Sequence, residues 1–211
     1  MWSRAPGYDV PVHGRFRIVD PECLDVLRAL RDAFDEEGIR LAVAGGMGVQ
    51  ALVAAAGLDH LLRATGDVDI VVAADDTRIV RALNRLSAAH PELHVVQNPG
   101  AKNARVGSLN VDWINEPSRA RGMEEAWAAS IDAAHVARVR RLDVPVQDPE
   151  VLVAAKLTGH KVREQDELDV TAVLESGVAI DEQRLRALVS FRPERFDVYE
   201  AIRQRIGKGS A

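Results

Sequence analysis

After Asp20-Pro21, an N-cap and first-turn proline, Leu24, Leu27, Leu30 and Phe34 recur at helical spacing until Gly38, which predicts a helix over that stretch. The period then changes. "IRLAV" alternates Ile39, Leu41 and Val43, a strand signal, and Gly45-Gly46 turns the chain into a second helix over roughly residues 47 to 57. A strand follows from Asp67 to Val72, and then a helix capped by Asp75 or Asp76 and carrying Ile79, Val80, Leu83 and Leu86. "LHVVQ" and "SLNVDWIN" read as two more strands, separated by a Gly- and Asn-rich turn region over residues 98 to 108, and a further strand is expected near 134 to 140. In "SLNVDWIN" the alternation puts Leu109, Val111 and Trp113 on one face and Asn110, Asp112 and Ile114 on the other.

From Asp148-Pro149-Glu150 onward the pattern is helical only. Val151, Leu152, Ala155 and Leu157 continue that capped start, and further helices are expected over 164 to 175, 181 to 190 and 193 to 206. The chain therefore divides into an irregular arm (residues 1–19), an α/β core (20–145) and a helical C-terminal region (146–211). The fold class is α/β (α+β), a mixed sheet with flanking helices.

A hydrophobic fraction of 47% and a charged fraction of 28% over 211 residues belong to an ordinary globular chain. The formal charge of −5 argues against a surface that grips nucleic acid all over, since such binding neutralises many phosphates at once. The single Cys23 excludes an intrachain disulfide and reads as a buried thiol. No His pair has metal-ligand spacing beside Cys or Glu. The N-terminus lacks the apolar stretch of a signal peptide, and "LAVAGGMGVQALVAAAGL" is better explained as strand, turn and helix than as a membrane span. A cytoplasmic protein without a membrane partner is expected.

The chemistry sits in "RATGDVDIVV". Side chains two apart on a strand share a face, so Asp67 and Asp69 present both carboxylates to one small volume, an unfavourable arrangement unless a cation lies between them. Magnesium suits that role, being a hard ion that takes one or two carboxylates together with substrate phosphates. Asp112, embedded in a later strand, is the candidate for a third acid. Gly45 and Gly46 stand where a strand becomes a helix, and bare backbone N–H groups there can receive a phosphate.

These motifs, "AVAGGMGVQALV", "RATGDVDIVV" and "NVDWIN", resemble the Gly-Gly, Asp-x-Asp and third-Asp motifs of the DNA polymerase β-type nucleotidyltransferase superfamily. The spacing and the preceding Arg-x-Thr are most similar to the AbiEii-type nucleotidyltransferases, known as toxins of toxin–antitoxin systems, and "DPEVLVAAKLTGHKVREQDELDVTAVLE" is similar to that family's helical segment with its Lys and Asp-x-x-Asp. The resemblance covers roughly residues 39 to 175 and departs from the pattern at Gly66 and in a shorter C-terminal region. It implies transfer of a nucleoside monophosphate from an NTP, with Mg2+ or Mn2+, to a hydroxyl acceptor such as the 3′ end of tRNA or another RNA, and a cognate antitoxin as partner. By motif match, Asp67, Asp69 and Asp112 would hold metal, and Gly45, Gly46, Arg63, Thr65 and Lys156 would contact the nucleotide. Asp166 and Asp169 match the Asp-x-x-Asp element, Asp166 beside the nucleotide and Asp169 with the catalytic groups.

Plainer roles suit some of these residues. Lys156 lies among apolar residues and can run its stem along a core helix; Asp166 and Asp169 have the spacing of surface ion pairs with Arg163 or Lys161; Arg63 can cap the preceding helix. Lys102, Arg105, Arg138, Arg140 and Arg141 are candidates for an RNA backbone or simply solvated charge, and Trp113 and Trp127 for a base or for core packing. Two rival functions stand beside the toxin: an aminoglycoside or lincosamide nucleotidyltransferase, and a catalytically silent nucleotide-binding relative.

Overall fold

The apolar stripe read from Leu24 to Phe34 forms α1 (Pro21–Glu36), with Cys23, Leu27, Leu30 and Phe34 all buried. A computed structural model describes residues 15–98, 100–115, 130–132, 134–159 and 162–209. After α1 come β1 (Leu41–Val43), α2 (Gly45–Ala55), β2 (Asp67–Val72), α3 (Asp76–Ala89), β3 (Val96–Gln97), β4 (Asn103–Val106), β5 (Leu109–Ile114), β6 (His135–Val139) and β7 (Leu142–Val146). Four helices follow, α4 (Pro149–Leu157), α5 (Glu164–Glu175), α6 (Glu182–Leu188) and α7 (Glu194–Gly209). Asp148 and Asp181 cap α4 and α6 by accepting from Val151 N–H and Arg184 N–H.

Seven strands make one mixed sheet in the order β3-β4-β5-β2-β1-β7-β6. β1 runs antiparallel to β2 and parallel to β7, while β2 and β5 are parallel neighbours. One face carries Leu41, Val43, Val68, Ile70, Val72, Val111 and Trp113, which join residues of α1 and α3 in the main core. On the other face, Ala44 and Val71 pack with Ile131, and Asp67, Asp69 and Asp112 follow in the same alternation. α2 packs against β2, α4 and α5, so the C-terminal helices gather beside the sheet face that carries the acids.

The structure departs from the sequence reading in five places. Of "LHVVQ" only Val96–Gln97 is strand, because Leu93 ends a 3-10 turn and His94 is left-handed at φ 45. The turn region 98 to 108 contains β4, joined to β5 through Gly107 (φ +62) and Ser108. The strand near 134 to 140 is one arm of a hairpin whose other arm is β7; its turn places Arg140 at φ 54 without the Gly or Asn that advertises such a conformation. Asp20 stands at the N-cap of α1, but its carboxylate accepts from Arg17 N–H at 2.8 Å rather than from the helix. The arm is tied down from Phe16 onward: Phe16 and Thr65 exchange both backbone hydrogen bonds, and Ile18, fully buried, donates its N–H to Gln50 Oε1 at 2.9 Å. Residues 1–14 and Trp127 lie outside the described residues. Among those described, no helix is long and apolar enough to cross a membrane.

Candidate active site

The parallel pairing of β2 with β5 sets Asp67 opposite Asn110 and Asp69 opposite Asp112. Since β5 buries Leu109, Val111 and Trp113 in the core, its alternate positions Asn110 and Asp112 emerge on the face of Asp67 and Asp69. Asn110 Nδ2 donates to Asp112 Oδ2 at 3.1 Å and to Asp67 Oδ1 at 3.4 Å, so one amide ties two of the acids together. The sequence reading placed Asn110 on this face without assigning it a task; its position two residues before Asp112 was the available signal.

Crowding of like charges shows in the titration of these groups. Burial, then the neighbouring Asp112 and Asp67, raise the Asp69 carboxyl above the ordinary aspartate range, against the lowering field of Lys156. Asp112 is raised by burial and by Asp67, with hydrogen bonds from Asn110 and Asn103 opposing the shift. Among the described residues, no three His, Cys, Asp or Glu side chains close into a ready metal cage. The donor chemistry nevertheless fits a hard divalent ion: several carboxylates on one face, two of them destabilised as anions, and a site type in which one or two carboxylates commonly suffice because the substrate supplies the other oxygens.

Gly45 is dictated by this arrangement. It adopts φ +57, and a Cβ built there would lie 1.9 Å from Asp69 Oδ2, so only glycine lets the start of α2 pass the carboxylate. The next residue, Gly46, is covered by Arg63, whose Nη2 would lie 2.9 Å from a Cβ, with Thr65 Oγ1 at 3.5 Å. The first N–H groups of α2 have no intrahelical acceptors and carry the positive end of the helix dipole.

A second layer of charge adjoins this cradle. Asp169, buried at 2% exposure, takes Arg63 in a forked pair, Nε to Oδ1 at 2.7 Å and Nη2 to Oδ2 at 2.8 Å, and Lys156 Nζ at 2.7 Å. Arg63 therefore does not cap a helix but spans from Gly46 to α5. Lys156 combines both readings made of it, a stem on a buried helix and a charge whose field reaches Asp69. Asp166 is differently engaged: both its oxygens accept from the Arg163 side chain, and Oδ2 also from Arg163 N–H, so it closes the start of α5 and is held below the ordinary carboxylate range. The structure thus brings Asp67, Asp69, Asp112, Gly45, Gly46, Arg63, Thr65, Lys156 and Asp169 into one connected region, and makes Asp166 a helix cap.

The basic residues separate. Arg138 pairs with Asp143 on the β6–β7 hairpin, at the far edge of the sheet, whereas Arg105 lies in β4 opposite Asn110, on the acid face and not in a loop. Trp113 is a core residue whose Nε1 donates to Asp76.

No family model and no curated protein matches the sequence. Among solved structures, the chain is similar to an antigenic nucleotidyltransferase-like protein from Paracoccidioides brasiliensis, over 89% of this chain and 95% of the other, at 16% identity and a TM-score of 0.54. The fold is nucleotidyltransferase-like. The antibiotic-resistance factor ANT(2'')-Ia is matched in its solution structure over 90% of this chain and 96% of that one (18% identity, TM-score 0.43). Its crystal structure with adenylyl-2''-tobramycin is matched over 87% and 98% (20% identity, TM-score 0.46). The expected fold class, a mixed sheet with flanking helices, is the one observed.

Proposed function

We propose that this chain transfers a nucleoside monophosphate from an NTP to a hydroxyl acceptor, releasing pyrophosphate, and that it acts on RNA, with the 3′ end of tRNA as the leading acceptor, as the toxin of a toxin–antitoxin pair. The observation that carries the enzymatic reading is the pairing of Asp69 with Asp112 across two parallel strands, beside a glycine turn that has no room for a side chain. The toxin role and the tRNA acceptor rest on the resemblance of the Arg-x-Thr, Asp-x-Asp and Asp-x-x-Asp motifs to the AbiEii-type enzymes.

Asp67 and Asp69, with Asp112, would hold Mg2+ or Mn2+, which when bound supplies charge neutralisation on the triphosphate and the acceptor oxygen. The N–H groups at the start of α2 receive triphosphate oxygens, and Arg63 and Lys156, held by Asp169, add positive charge on the same side. The acceptor oxygen attacks the α-phosphorus in line; its bond to phosphorus forms as the bond to the α–β bridging oxygen breaks, and pyrophosphate leaves with that electron pair. Asp112, on β5 beyond β2 from the α2 cradle and so on the acceptor side, takes the acceptor proton. Holding both reactants in this geometry provides much of the acceleration.

Incubation with each α-labelled NTP, Mg2+ and total RNA tests the proposal. Label in tRNA-sized RNA that disappears with Asp69→Ala is the expected result; label only on an added aminoglycoside would move the assignment to antibiotic modification, and no incorporation would leave a nucleotide-binding relative.

A further inference from the structure

Arg105 is the group on the acid face that the proposed reaction leaves without a task. It stands in β4 opposite Asn110, one strand beyond Asp112, and Ala104 and Val106 on either side point into the core, which directs Arg105 to the same face as the acids. Its Nε is buried and has no hydrogen-bond partner, and no carboxylate pairs with its guanidinium among the described residues. Several other arginines are answered by acids, Arg63 by Asp169, Arg138 by Asp143, Arg163 by Asp166 and Arg184 by Asp148, and Arg78 and Arg192 by backbone carbonyls. In this half-buried arginine, a buried Nε donor without a partner on the acid face is costly unless an anion oxygen completes it.

The sheet order says which anion. The α2 cradle follows β1, and β2 and β5 separate it from β4. With strands about 4.8 Å apart, Arg105 stands about 14 Å across the sheet from the cradle and, because Asn103 is the residue opposite Asp112, lies diagonally from that aspartate at about 7–8 Å. That is the side opposite the triphosphate, where an acceptor hydroxyl would approach Asp112.

We propose that Arg105 binds a phosphate group carried by the acceptor next to its attacking hydroxyl, so that the enzyme selects phosphate-bearing acceptors and rejects polycationic ones. The role rests on the nucleotidyltransferase reading, but the contact is measurable without turnover. Arginine suits it, because its planar fork presents paired donors to phosphate oxygens.

The test compares the wild-type chain with Arg105→Gln and Arg105→Lys, using a fluorescein-labelled single-stranded RNA dodecamer, a nucleoside 5′-monophosphate and an aminoglycoside as separate ligands, with thermal melts to verify folding. Arg105→Gln is expected to weaken RNA binding about 5- to 10-fold and to lower the slope of log K against log salt by about one, while Arg105→Lys keeps the slope and loses part of the affinity. In turnover assays the acceptor KM rises and the NTP KM is unchanged. The same dependence on the monophosphate but not on RNA would support the contact and assign it to a free phosphate monoester. RNA binding that depends on Arg105 in a chain that transfers no nucleotide would sustain the contact and refute the enzymatic reading. Unchanged binding of both phosphate ligands, a rise in the NTP KM instead of the acceptor KM, or transfer to the aminoglycoside alone would overturn the proposal.

Discussion

Asp69 and Asp112 are register partners on two parallel strands, so their carboxylates emerge side by side from backbones that cannot move apart without breaking the ladder. Burial and neighbouring carboxylates, Asp112 and Asp67 in the case of Asp69 and Asp67 in the case of Asp112, make both harder to ionise than an ordinary aspartate. Replacing either with Asn is expected to lower nucleotide transfer by about 100- to 1,000-fold or more, as loss of a preorganised charge at a reaction centre does. Folding responds in the opposite direction. A carboxyl whose folded pKa is raised contributes stability at low pH that is lost as pH rises through that value, so at pH 8 in EDTA Asp69→Asn should melt no lower than the wild type. A clearly lower melting temperature would show that the charge of Asp69 is already compensated in the metal-free fold.

The two glycines at positions 45 and 66 separate a required glycine from a tolerated one. Gly45→Ala forces a methyl into Asp69 at φ +57 and is expected to cost more than about 1 kcal/mol in urea unfolding and to abolish transfer. A Cβ at Gly66 meets nothing within 4 Å, so Gly66→Ala, measured in the same way, should be neutral or stabilise by about 0.4–1 kcal/mol. Equal effects at both positions would refute the close approach of Gly45 to Asp69.

Asp169 is expected to act by positioning. With both oxygens engaged by Arg63 and Lys156, it is poorly placed to accept a proton, but it fixes two cations beside the α2 cradle. Asp169→Ala leaves two cations facing an empty space and should destabilise by about 3–5 kcal/mol. Asp169→Asn, which keeps the shape, should raise the NTP KM more than it lowers kcat and leave the acid limb of the kcat–pH profile in place. Loss of that limb would make Asp169 a base after all.

Cys23 lies inside the α1–α2 contact, its Sγ at 3.8 Å from Met47 Sδ, and burial, with Asp20 and Glu22 nearby, pushes its thiol up to about 12. At pH 8 the native thiolate population is then about 10⁻⁴, so iodoacetamide should label the folded chain orders of magnitude more slowly than the chain in guanidinium, as followed by mass spectrometry. Rapid labelling of the folded chain would mean that α1 opens locally.

The local elements were legible because each is driven by short-range patterning. The stripe from Leu24 to Phe34, the Asp148-Pro149 start of α4 and the alternation in 109–114 specify helix, cap and strand whatever surrounds them. β4 and β7 were not legible for a local reason: "NARV" is short and polar-flanked, and the β6–β7 turn uses Arg140 in a left-handed conformation without a turn residue to mark it.

The sequence by itself determined that Asp67 and Asp69 share a face, that Asp112 emerges opposite a buried stripe, and that a bare turn precedes a helix, because side-chain direction along a strand is a matter of period two. Only the tertiary structure decided that β5 lies next to β2 with Asp112 level with Asp69, that Asp169 grips Arg63 from 106 residues away, that Asp166 serves Arg163 instead, and that Arg105 joins the acid face. Strand order, register and long-range ion pairing follow from which surfaces bury one another when the whole chain packs, and no local period encodes them.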